Sequence, residues 1–377
     1  MRLSHTPTCI VTAAAFLAAA ACSNHGSTMP SQSIGSAPQS AQQANPDSSY
    51  SVLKVLAHER RIGSTIDPEL HQLNPYGLTV APSTNGAFTK GDLVVCNFNA
   101  SGNVQGTGYT IVALHPKDGA KPTLVSDSKT LKGCDALALA PDDTIWAAAF
   151  KANDNPVISS SGQLIVNLEG KPFDHPFGEV FAAHGGASGA PVFYESNARN
   201  GTIVRINLGS SFTYDVIATG FAINHGKPGS IFGPSGLSYD DHKDTLYIVD
   251  GTNNTVVAFS SVSTIPAGGI VVGQDGQSFS GPSASQARLV FAGPPLNGPI
   301  SSALLFNGNL VVGNTGNKNG RNIMVEIAPS GELLSTRNVD RGAAGALFGI
   351  VATGNNIHDA RIYFNDDNHN DLKVLEQ

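Results

Sequence analysis

The stretch GPSGLSYDDHKDTLYIVDGTNNTVVAFS, residues 233–260, decides how the chain is read. GLSYD, TLYIVD and TVVAFS are short runs rich in apolar, β-branched and aromatic residues, separated by the turns DHKD and GTNN. Short runs of this kind, punctuated by Asn, Asp and Gly, predict three antiparallel strands in succession. One such meander cannot bury both of its faces, so it needs neighbours of the same kind.

The neighbours are in the sequence. GPSGLSYDD (233–241) is matched by NPYGLTVAP (74–82) and HPFGEVFAA (175–183), and less closely by CDALALAP (134–141), SSALLFNG (301–308) and LFGIVATG (347–354). Aligned on Gly77, Ala136, Gly178, Gly236, Ala303 and Gly349, the copies recur about every 54 residues. After each comes a second strand ending in a small residue, at Asn97, Ala149, Asn197, Asp250, Asn314 and Asp366. A third strand follows (TIVALHP, GTIVRINL, NIMVEIAPSG), and usually a fourth, such as TLVSD or TYDVIATG. Six four-stranded antiparallel units of this size pack face to face only when arranged radially, which predicts an all-β, six-bladed β-propeller.

The sixth unit is short of a strand. It supplies FGIVATG, RIYFNDD and NDLKVLEQ (370–377), and there the chain stops. Before the first unit stands SVLKVLA (51–57), with the same Leu-Lys-Val-Leu tetrapeptide and the same period-two alternation. The expectation is that SVLKVLA adds as the outer strand of blade six, so that pairing of the chain's two ends fastens the ring.

The Gly-Leu opening strand and the Leu-Tyr-Ile-Val-Asp second strand of residues 233–260 resemble NHL-repeat propellers. The layout is shared by the regucalcin/gluconolactonase, YncE-like and TolB-like propellers and by lyases, so the resemblance implies a fold and leaves function open.

Ahead of the repeats, Arg2 and the uncharged run CIVTAAAFLAAAA (9–21) form an export signal over residues 1–22, too short to span a membrane. FLAAAAC resembles the lipobox of bacterial lipoproteins, with Ala19 where Leu is usual. The resemblance implies acylation of Cys22 and, with Ser23 next, an outer-membrane or cell-surface lipoprotein held to the membrane by its lipid alone; plain secretory cleavage is the alternative. Residues 23–49, rich in Ser, Gln, Pro and Ala, predict a disordered linker, and residues 50–377 the propeller.

Composition removes one class of partner. The net charge is −7 and no basic cluster occurs, which gives nucleic-acid binding no electrostatic footing. Of four cysteines, Cys96 and Cys134 fall in the repeats, near one face of adjacent blades. They are either a disulfide, stabilising by about 3 to 4 kcal/mol in the chain-entropy model, or two buried thiols.

The repeat places Asn97, Asn197, Asp250, Asn314 and Asp366 around one mouth of the central channel. Amide and carboxylate oxygens in a ring suit Ca²⁺ or another divalent cation, and regucalcin-type hydrolases use such an ion to polarise an ester or lactone carbonyl. The same periodicity also arises if each residue only closes the turn that follows it. The acidic Gly-Glu-Ser-Pro-type motif that opens blade one in those enzymes is replaced here by NPYG. His175, His184 and His225 are candidate ligands or bases at the mouth, without any metal-binding spacing; His358 and His369 are further histidines. The long connection 260–297 is a candidate recognition surface or a neutral insertion. Two functions remain: a monomeric binding or assembly module for a protein, peptide or glycan at one face, or a metal-dependent lactonase or esterase with Asp250, Asn197 and Asp366 as ligands.

Overall fold

The computed structural model describes residues 48–377, so the expected signal, Cys22 and nearly all of the linker lie outside the described residues. Six sheets follow one another around an axis. Their inner strands are Leu73–Val80, Cys134–Leu139, Pro176–Ala182, Pro234–Asp240, Pro299–Leu304 and Leu347–Thr353, and each pairs antiparallel with the second strand of its own blade. Blades one to five take all four of their strands from their own repeat unit. The chain is a six-bladed β-propeller of four-stranded antiparallel blades.

Blade six is completed from the other end of the chain, with a correction to the expected segment. Its outer strand is His58–Ser64, which pairs antiparallel with Asp371–Glu376, His58 opposite Glu376 and Ser64 opposite Asp371. SVLKVLA instead forms a short helix, Val52–Val55, capped by the Ser51 hydroxyl. The reason lies in the buried Glu326 carboxylate of blade five. It accepts from the Val52 N–H at 3.0 Å and the Leu53 N–H at 2.8 Å, and also from the Ser51 hydroxyl, so it satisfies first-turn donors that a helix leaves open. Val52, Leu53 and Leu56 then fill the seam between blades five and six, each with at most 1% of its surface exposed. A sequence with strand alternation becomes one helical turn because its apolar residues are wanted on one side and its amides have a charged acceptor waiting.

The strand that does close the ring is polar and is held by ion pairs across it. Arg61 meets Asp371 at 2.6 Å, Arg60 meets Glu376 at 2.7 Å and Lys373 meets Glu59 at 3.3 Å. These add to the ladder of backbone bonds that gives blade six its fourth strand.

Every inner strand carries one extra residue just after its opening position, between Pro75 and Leu78 in blade one and at the matching place in the other five. This repeated bulge turns the strand toward the axis where neighbouring blades come closest. At Gly178 a Cβ would stand 2.0 Å from the Ser235 carbonyl oxygen, and at Gly349 2.4 Å from that of Tyr76. The recurring glycine of the repeat is therefore demanded by the approach of the next blade. In blade five the register puts Ser301 at this place, not Ala303, a shift of two residues from the sequence alignment.

The connection 260–297 is built into the fold. Ile270–Val272 joins the edge of blade three parallel to Thr213–Thr219, Phe279–Ser280 follows it, and Ala287–Ala292 is the outer strand of blade four. Ile265, Ile270 and Val272 are buried in the core between those blades.

Replacing Glu326 with Ala removes the shared acceptor for the helix turn. We expect a loss of about 2–4 kcal/mol in urea unfolding, since bonds to a charged group contribute about 1.5–3 kcal/mol each and do not add fully. An unchanged midpoint would show that the turn docks without it.

Candidate functional site at the channel mouth

The opening residues and the ends of the second strands share one face, as the register of Pro75 with Asn97 and Pro176 with Asn197 shows. Asn97, Asn197, Asp250, Asn314 and Asp366 all lie there, each with at most 1% of its surface exposed. Their side chains are engaged by the chain around them. Asn197 accepts from the Asp174 N–H at 2.9 Å and donates to the Thr202 hydroxyl at 3.1 Å, and Asn314 accepts from the Asn297 N–H at 3.0 Å. Asn97 donates to the Thr65 carbonyl at 3.1 Å. Asp250 accepts from the N–H groups of Thr252 at 2.9 Å and Asn253 at 3.2 Å. Burial pushes its carboxyl up, and those same bonds counter the shift.

Asp366 differs. It meets the Lys373 ammonium at 2.7 Å and His369 Nδ1 at 2.9 Å, with Asp340 close by. Ligand atoms of Asp340, Asp366 and His369 fall within 4.8 Å of one another. Lys373 already supplies a positive charge there, and Asn322, Asn368 and the Gly342 N–H donate to Asp340.

The axis itself is filled by side chains absent from the expected set. The residue between the opener and the glycine is Tyr76, Phe177 or Phe348 in three blades and Ile300 in a fourth, and these four converge with Phe98 and Phe150 in one cluster. Tyr76 stacks on Phe348 with ring centres 3.6 Å apart and on Phe98 at 4.1 Å. Beneath this cap lies an axial cavity of about 100 Å³ lined by the six inner strands. Asp135 occupies the same place in blade two; it is buried, both carboxylate oxygens lack a hydrogen-bond partner, and burial pushes its carboxyl well up. The signal was present in the sequence as PYG, PFG and LFG.

Two recesses open above the cap. One, of about 290 Å³, has Tyr76, Phe348 and Phe232 with Gln105, Thr315 and Asp367 in its wall. The other, of about 240 Å³, is walled by Phe150, Lys151, His175, Arg199, His225 and Lys227. The structure thus brings His175 and His225 together at the mouth. His175 packs edge-on against Phe150; its Nδ1 lies 3.1 Å from Asp174 and its Nε2 3.4 Å from Arg199. His184 stands apart from them, a correction to its expected place. It follows Ala182, the far end of the inner strand, and pairs with Asp241 at 2.8 Å on the opposite face. His358 lies in an exposed loop.

Cys96 and Cys134 form a disulfide with Cα atoms 5.9 Å apart, joining the second strand of blade one to the inner strand of blade two just below the mouth.

No family model matches the sequence, and neither does any curated protein. Solved structures do match in shape. A gluconolactonase of Xanthomonas campestris aligns over 88% of this chain and 94% of its own, with a TM-score of 0.55 and 13% identity. Regucalcin of Agrobacterium tumefaciens, a calcium-binding protein, aligns over 81% and 90%, with a TM-score of 0.52 and 14% identity. A chain of the nidogen/laminin complex aligns over 74% and 84%, with a TM-score of 0.52 and 13% identity. The likeness is one of fold. At this identity the three carry the six-bladed architecture to the chain and nothing of their chemistry.

Two measurements test the energetics of this region. Breaking the disulfide as Cys96→Ala/Cys134→Ala opens a 38-residue loop and should cost about 3 to 4 kcal/mol of unfolding free energy; no loss would mean that packing alone holds the two blades. Burial also raises Asp154 to about 6, Asp367 to about 7 and Glu179 to about 8, with Asp135 and Glu195 shifted in the same direction. Groups that hold protons longer when folded give stability that is complete below the unfolded carboxyl range and is lost as pH rises through these values. The melting temperature in chelator should therefore fall between pH 5 and pH 9, and less steeply in Asp135→Asn; a rise over that range would contradict the assignment.

Proposed function

We propose that the chain is an exported, lipid-anchored binding module whose mouth face takes a protein, peptide or glycan ligand through an acidic group. The observation that carries this reading is the recess with three cations, Lys151, Arg199 and Lys227, in a protein of net charge −7, beside an aromatic floor. Guanidinium and ammonium groups pair with carboxylate or phosphate, and the adjoining recess over Tyr76 and Phe348 offers an apolar seat for the body of the ligand. The Cys96–Cys134 bond supports an oxidising compartment and hence export. The hydrogen bonds that tie Asn97, Asn197, Asp250 and Asn314 to the chain around them weigh toward binding over metal-assisted hydrolysis. A metal-dependent lactonase or esterase is the second reading, favoured by the grouping of Asp340, Asp366 and His369.

The test is a panel of uronic-acid oligosaccharides and acidic peptides against the mature chain. Binding by a panel member should weaken about tenfold or more in Arg199→Ala/Lys151→Ala, because a charged hydrogen bond contributes about 1.5–3 kcal/mol, and should fall with added salt. Binding insensitive to both changes would move the ligand away from this recess. Lactone or ester turnover abolished by chelator and by Asp366→Asn would establish the second reading instead.

A further inference from the structure

Blade three breaks the pattern of the other five at one buried spot. Three positions from the opener, the inner strand pairs with the second strand as Leu78 with Val95, Leu137 with Ala147, Leu237 with Ile248, Ser302 with Val312, and Ile350 with Phe364. Apolar residues fill nine of these ten places, and the tenth is a serine. In blade three the pair is Glu179 with Glu195. The residue of blade two that meets them is also exceptional. Asn155 lies on the third strand, where the other blades carry Ile111, Ile203, Val256, Met324 and Leu372. Three polar residues thus replace apolar ones at a single point between two blades.

The cluster is buried and unfinished. Glu195 and Asn155 have no exposed surface and Glu179 has 8%. Asn155 Nδ2 donates to Glu179 Oε1 at 2.9 Å and to Glu195 Oε2 at 2.6 Å. Three oxygens remain without any partner: Glu179 Oε2, Glu195 Oε1 and Asn155 Oδ1. No Lys, Arg or His among the described residues forms an ion pair or hydrogen bond with either glutamate. Two buried carboxylates without a counter-charge, beside an amide oxygen without a donor, are a costly arrangement that an apolar pair would avoid. Glu179 also lines the axial cavity, which gives the cluster a route from the channel.

We propose that Glu179, Glu195 and Asn155 form a binding site for one divalent cation, Ca²⁺ or Mn²⁺, wedged between blades two and three. The donors are all oxygen, as hard cations require, and the two carboxylates balance the charge of a divalent ion. Turning the Asn155 amide over exchanges Nδ2 for Oδ1 and sets a third oxygen beside both carboxylates, with water from the axial cavity completing the shell. Mg²⁺, which dehydrates reluctantly, is disfavoured in so closed a place. The ion joins two blades, so its first effect is on stability. Protons compete for the same oxygens, since burial holds both carboxyls above their ordinary range and the charge of Glu179 adds to the shift at Glu195.

The experiment uses the mature chain, stripped with EDTA and re-equilibrated with Ca²⁺ or Mn²⁺ at pH 7.5. Bound metal is measured after gel filtration and the melting temperature is followed in parallel. We expect one ion per chain and a melting temperature several degrees higher. Glu195→Gln should weaken uptake at least tenfold. Glu179→Leu/Glu195→Ile copies the Leu237–Ile248 pair of blade four, so it keeps the fold and should take up no metal. Asp366→Asn, at the other carboxylate grouping, should leave uptake unchanged. The proposal is overturned if the native chain binds neither ion at millimolar concentration, if the Leu/Ile variant still binds one, or if uptake disappears in Asp366→Asn instead.

Discussion

Blade six has only three strands from its own repeat unit, so the pairing of His58–Ser64 with Asp371–Glu376, which ties the two ends of the chain into one sheet, governs the rest. Without it blade six is left with three strands, and the segment that brings Val52, Leu53 and Leu56 into the seam loses its anchor on that blade. The ion pairs of Arg60, Arg61 and Lys373 cross the same ladder, so the polar character of the closing strand serves the closure. Once the ring is shut, the inner strands are forced together at the axis. The glycine positions, the repeated bulge and the aromatic cap follow from that crowding.

The architecture could be read in the sequence because each blade repeats the same physical demands. Glycine is needed where Gly178 approaches Ser235 and Gly349 approaches Tyr76, and Asn or Asp ends the second strand in five of the six blades, Ala149 being the exception. These demands recur at fixed intervals and so print themselves on the chain. What failed were inferences about single segments. Leu53–Leu56 and Leu372–Leu375 have the same four residues, yet one is a helical turn ending at its cap and the other is a strand, because only the first meets the Glu326 carboxylate. No local pattern carries that information. The two-residue misplacement of blade five has a similar origin: Ser301 stands at a glycine position and Ala303 imitates it.

The candidate site was legible only in its location. The register gathers five residues at one mouth, but Asp250 caps the turn after it, Asn197 and Asn314 hold the loops before the openers and Asp366 pairs with Lys373, while the two recesses are walled by the cap and by Lys151, Arg199 and Lys227 in loops with no repeat signature. The glutamate pair was hidden for a different reason. GEVFAA and VFYESN each contain an unremarkable Glu, and only the pairing of Glu179 with Glu195 across two strands, opposite Asn155 of another blade, makes them one group. Repetition reveals what all blades share; a function confined to one blade appears as a departure from it.

Ring closure is tested most directly by native-state amide hydrogen exchange across the two ends of the chain. If His58–Ser64 is a true blade strand, its bonded amides and those of Asp371–Glu376 should show protection close to that of the third strands of the other blades. Both segments should then open together as denaturant is raised. Rapid exchange at 58–64 while 371–376 stays protected would mean that the early segment is not part of the blade, and the account of a closed ring would have to be abandoned.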